Sequence, residues 1–202
     1  MSHAGHGHGA VEVNGHGAVE VENKKIAILI SVLALFLAIA ETLGKSAQTD
    51  ALKYNVESSN TWAFFQAKTI RKTTLDTASE QMEIDLALAK DPAVREMLEK
   101  RVNAWKSRAG RYESEPETGE GRKELLAKAK LLEEKGDRAL AKYHSFEYGA
   151  AAFQIAIVLA SAYIIVRVFY LLWGAGALGL IGIIFLIIGI VAPDAHLFAA
   201  TH

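Results

Sequence analysis

The chain has 202 residues, 22 Lys+Arg against 23 Asp+Glu, 51% apolar residues and no cysteine. A net charge of −1 excludes a nucleic-acid binder built on a basic excess. The lack of cysteine excludes disulfides, thiolate metal sites and cysteine nucleophiles, and leaves the redox compartment open.

The first tract, 1–23, is rich in glycine and histidine (His3, His6, His8, His16) and too polar to fold alone. Its His-x-x-His-x-His spacing would bind a transition metal only weakly. A tail that is merely His-rich is the simpler reading, so no metal site and no cofactor are expected.

The first apolar block, Ile26–Leu43, is interrupted only by Glu41 and follows Lys24 and Lys25. It measures about 27 Å as a helix, enough for a hydrocarbon core. A cleaved signal peptide with a small-x-small site at Ala38-Ile39-Ala40 is the rival reading. The long tract before the block, and apolar character beyond that site, favour a membrane anchor over 24–44. Glu41 is a candidate intramembrane polar site. Lys45 follows four residues later, so a snorkelled interfacial pair competes with a proton or ion site.

Residues 45–147 carry most of the chain's charge and are rich in alanine and poor in proline, which reads as helix. Asp91-Pro92 is a break, with Asp91 as N-cap and Pro92 in the first turn. Tyr112–Gly121, with Pro116 and Gly119, reads as a loop. The outgoing leg Lys45–Lys90 matches in length the two return pieces, Pro92–Gly110 and Arg122–Glu147. Equal legs favour a long antiparallel helical hairpin with its tip at Asp91-Pro92. Counting along both legs sets Lys68, about 38 Å beyond Leu43, opposite Arg122 and the acidic loop of Glu115, Glu117 and Glu120.

The second apolar block, Gly149–Ala192, holds a single charge, Arg167. Splitting it there gives two spans, 148–166 and 168–192, joined by a tight turn near Val166–Tyr170. Arg167, Tyr170 and Trp173 then anchor one interface. Gly174-Ala175-Gly176 is a rival turn that shortens the last span. Ala152, Ala156 and Ala160, with Gly179, Gly182 and Gly189, form small-residue stripes suited to close helix packing, within one chain or between chains. A short tail, 193–202, follows.

The aromatic-rich segment Asn55–Arg71 is the most distinctive. Its residues Asn60, Trp62, Phe65, Gln66, Ala67, Lys68, Ile70 and Arg71, after a lysine-flanked span, resemble a family of bacterial membrane proteins known as domain of unknown function 4337. The likeness extends over about 24–192: one N-terminal span, a helical middle and a C-terminal pair of spans. It implies a bacterial inner membrane and no activity. Read from the residues, Trp62, Phe65 and Thr69 fall at helical spacing and suit packing against the return leg. A partner surface made of Asn60, Trp62, Phe65, Gln66, Lys68 and Arg71 is the alternative.

The expectation is an all-α membrane protein with three transmembrane helices and a long extramembrane antiparallel hairpin between the first and second. No nucleophile elbow, phosphate loop or zinc-protease motif occurs, so no enzyme and no small-molecule substrate are expected. His144 and His196 read as isolated polar residues. The function expected is a self-associating scaffolding or complex-accessory protein. Its partners are the bilayer and either further copies or other membrane proteins. The alternative is a small channel or transporter-associated subunit using Glu41 and the glycine-rich third span. Lys24, Lys25 and Arg167 place the N-terminus and the short turn inside, and the hairpin in the periplasm.

Overall fold

The structure, a computed structural model, describes residues 13–193, with side chains described from Asn23. His3, His6, His8 and His196 lie outside the described residues, and nothing is described of the His16 side chain. Among the described residues there are four helices and no strand: α1, Val13–Leu88; α2, Pro92–Glu113; α3, Arg122–Val166; and α4, Phe169–Val191. Three of them are long and apolar enough to cross a membrane: 23–88, 122–166 and 169–191. Helix α1 starts ten residues before Asn23, inside the tract expected not to fold. Once a helix is nucleated, each added residue costs little, and the segment Ala18–Glu22 holds no glycine or proline.

The chain divides into two units, 1–48 with 141–202, and 49–140. In the first, two apolar clusters hold α1, α3 and α4 together. One is built on Leu33, Ala40, Ala150, Phe153 and Ala156, the other on Ile26, Ala160, Tyr163 and Ala175. Phe36 stacks on Phe153 with ring centres 5.8 Å apart. The small residues are what permit this closeness. Gly149 approaches the Gly182 carbonyl so closely that an added Cβ would sit 3.2 Å from the oxygen, tighter than an ordinary side-chain contact. The ring of Phe153 fills the notch at Gly182, and that of Phe146 the notch at Gly189. Leu33 of α1 fills the notch at Gly179. Ala152, Ala156, Ala160 and all three glycines are buried within the chain.

The connection between α3 and α4 is Arg167-Val168. Arg167 adopts φ 58°, the left-handed region that ends a helix, and its amide bonds the Tyr163 carbonyl. Gly174, Ala175 and Gly176 lie inside α4, where Ala175 is buried in the second cluster.

In the unit 49–140, α1 breaks at 89–91. Asp91 is held in the extended region, as a residue preceding proline must be, and its carboxylate accepts the Ala93 amide at 2.9 Å. Helix α2 runs three residues past Gly110, because the Ser114 amide still bonds the Gly110 carbonyl and Arg111 pairs with Glu115 one turn on. The loop 114–121 then turns on Gly119, at φ 69°. Contacts of α1 meet falling numbers on its partners: Tyr54 and Asn55 lie by Gly136, Ser58 bonds Ala129, Thr69 bonds Arg122, and Glu83 pairs with Lys106. The covered residues of α1 recur in steps of three and four: Ala51, Tyr54, Ser58, Thr61, Phe65, Lys68, Lys72, Leu75 and Ser79.

Candidate functional site

Two places concentrate polar chemistry. The first lies where α2 gives way to α3. Lys68 stands at a covered step of α1, its side chain only 7% exposed. An ammonium so placed needs partners, because desolvation alone would expel it. It lies 5.2 Å from the centre of the Phe64 ring, 5.3 Å from that of Tyr112, and 3.5 Å from a Glu120 carboxylate oxygen. Two aromatic faces and one carboxylate therefore surround one cation.

Beside it, Arg122 ties three segments together. Its Nε donates to Thr69 Oγ1 at 2.9 Å, its Nη1 to Glu113 Oε2 at 2.7 Å, and its guanidinium lies 5.2 Å from the centre of the Phe65 ring. Phe65 in turn meets the edge of Trp62, whose Nε1 donates to Glu133 at 2.7 Å. The loop closes on Glu124 in the first turn of α3, which accepts from Ser114 Oγ at 2.6 Å and from the Glu115 amide. The Ser114 hydroxyl holds the Glu124 carboxyl below the usual carboxylate range. Arg111 does the same for Glu115, helped by Thr118. Gly121 sits so tightly here that a Cβ would run into Glu124 and the backbone of Ser114 and Glu115.

The six residues of the candidate surface are thus divided. Trp62, Phe65 and Lys68 turn toward α2, α3 and their loop, while Asn60, Gln66 and Arg71 stay exposed. The expected juxtaposition of Lys68 and the acidic loop is present, through Glu120. Tyr112, Glu113 and Glu133 were not singled out from the sequence. Their only signal was the same count along the two legs that places the loop.

The second place is in the unit holding the apolar clusters. Glu41 accepts a hydrogen bond from Gln154 Nε2 at 3.3 Å. Both line an open groove of about 490 Å³ with Gly44, Lys45, Gln48 and Glu147. Gln154, the only amide between Gly149 and Val166, was legible as an oddity but not as the partner of Glu41. Among the described residues no group of three or more His, Asp or Glu could hold a metal.

The family described as Domain of unknown function (DUF4337) matches residues 22–192. The chain belongs to this family. No curated protein and no solved structure matches the chain. The DUF4337 match takes in both places described above, the Lys68 cluster and the Glu41–Gln154 pair.

Proposed function

We propose that this DUF4337 protein is an integral membrane protein of the bacterial inner membrane that scaffolds by self-association. On this reading the apolar block 26–43 of α1, the part 148–166 of α3 and the whole of α4 cross the bilayer, while the charged unit 49–140 is an extramembrane, periplasmic antiparallel hairpin. The steps of three and four along α1 support a coiled coil within it. The role is structural, not enzymatic. The charged and aromatic groups around Lys68 are engaged with one another instead of converging on an open cavity.

One observation carries the reading. The unit 49–140 exposes large apolar side chains on α1, among them Leu52, Val56, Ile70, Ile84 and Leu88, each more than half exposed. Outside a bilayer, a row of such residues is a surface for another protein. The test is native-size separation in mild detergent, followed by mass spectrometry of what co-migrates. A species of at least two copies is expected. A monomer without companions refutes the scaffold.

A second reading rests on the Glu41–Gln154 hydrogen bond. A small channel or transporter-associated subunit would use that pair as its polar site. Ion flux into liposomes that is abolished by Glu41→Gln would establish it. The glycines of α4 speak against their use in a pathway, since Phe146, Phe153 and Leu33 fill their notches.

A further inference from the structure

We propose that a second copy of this chain docks on the open face of α1 between Val56 and Leu88, with like residues facing like. This rests on the reading of self-association and names the surface that performs it.

The face has a regular repeat of its own. From Val56 the exposed or half-exposed positions Asn60, Ala63, Ala67, Ile70, Thr74, Thr77, Gln81, Ile84 and Leu88 follow in alternating steps of four and three. That is the 3.5-residue period at which one helix can follow another without drifting off the contact. Helix α1 uses the same period on its opposite side to pack α2 and α3. The apolar members are not incidental surface residues: Val56 is 59% exposed, Ile70 67%, Ile84 56% and Leu88 72%. Thr69, Ile70, Thr73, Thr74, Thr77 and Gln81 line an open groove of about 670 Å³ midway along the face. Its floor of small side chains is suited to receive the knobs of a facing helix.

The chemistry selects a copy as the occupant. Not one of these positions is charged, although Lys53, Glu57, Arg71, Glu80 and Asp85 flank them on the same helix. The contact positions between Val56 and Leu88 therefore bring no charge into the seam, and Lys53, Glu80 and Asp85 lie at its solvated border, where like charges cost little. The Thr74 hydroxyl already donates to the Ile70 carbonyl, but Asn60 and Gln81 each both donate and accept. Each is satisfied by its own counterpart across a two-fold axis. Two copies inserted in one bilayer with one topology are related by an axis along the membrane normal. Where that axis runs along the helix, like helices point in the same direction and each residue is set against itself. Size also suffices. The face is about 50 Å long and about one helix diameter wide. Two such footprints together reach about 1,000 Å², the lower bound for a specific interface.

The chain has no cysteine, so single-cysteine variants of the full-length protein in native membranes test the face directly. Ala63→Cys, Ile70→Cys and Thr77→Cys should each form disulfide-linked dimers under mild oxidation. Lys128→Cys, exposed on α3, should do so at least tenfold more slowly. The double variant Ile70→Glu, Ile84→Glu changes only exposed residues. It should shift the native size to monomer with the helical circular dichroism unchanged. Oligomers that persist in that variant, or that crosslink best at Lys128→Cys, overturn this face while self-association stands. A wild-type monomer that crosslinks nowhere overturns both. A different protein captured at Ile70→Cys overturns the copy as occupant.

Discussion

Lys68 shows how a buried cation is tolerated. Its side chain is covered, but that of Glu120 is 53% exposed, so the burden of desolvation falls almost wholly on the lysine. Removing the cation leaves no stranded charge, because Glu120 returns to water. Lys68→Met should therefore stay within about 1 kcal/mol of the parent in urea unfolding. Lys68→Glu places a carboxylate beside Glu120 and against two ring faces, and should cost about 3 kcal/mol or more. Equal effects of the two substitutions would show that the charge is not felt at this position. The loop below has a pH signature. The Glu115 and Glu124 carboxyls are held below their ordinary value of 4.5 in the folded chain. Groups shifted downward contribute stability that is complete above the unfolded value and is lost as pH falls through the folded one. The urea midpoint should thus be flat near neutrality and fall below about pH 4.5, and Glu124→Gln should flatten that fall.

At the scale of elements, the membrane-type unit rests on aromatic rings set into glycine notches. A Cβ at Gly182 would lie 2.7 Å from the Phe153 ring, and one at Gly189 2.6 Å from that of Phe146. Gly176 has open space. Gly182→Ala should therefore lower stability in detergent by about 1–3 kcal/mol, and Gly176→Ala should not. Adding Phe153→Leu to Gly182→Ala should recover part of the loss, with a coupling of about 0.5 kcal/mol or more. The notches were half legible beforehand. Gly179, Gly182 and Gly189 align by counting along α4, but no count along one helix names the ring that fills a notch on another. The breaks were more legible. Asp91-Pro92 and Arg167 are backbone events, decided by a missing amide hydrogen and by the one charge in an apolar run. Trp62 and Phe65 show the limit. Their spacing declares a face, yet only the α3 side chains decide that this face is covered while Asn60 and Gln66 are left open. The start of α1 at Val13 lies in a tract whose polar composition gives no helix by itself, because propensity read locally leaves out the long helix downstream.

For the whole molecule, orientation is the first question. Arg167 Nη2 donates to Asn23 Oδ1 at 3.3 Å, so the turn between α3 and α4 lies at the same end of its unit as Lys24 and Lys25. Basic residues gathered at one end favour that end in the cytoplasm. A reporter fused at Gly119, in the exposed loop, should then be active only if it functions in the periplasm. Cytoplasmic activity at that site would reverse the assignment. The same hydrogen bond joins residues 144 apart in sequence, and the cluster of Leu33 and Ala40 is completed only by α3 and α4. Synthesis runs from the N-terminus, so the first apolar helix leaves the ribosome long before the segments that cover it exist. Until α4 is finished, Leu33 has no Gly179 notch to enter and the cluster of Leu33 and Ala40 lacks Leu178, Ile183 and Leu186. Assembly of this unit is therefore a late event in the life of the nascent chain. A chain ended at Val166 should keep the contacts of α1 with α3, such as Phe36 on Phe153, but lack every glycine notch of α4, and should be degraded faster in the cell than the full-length protein.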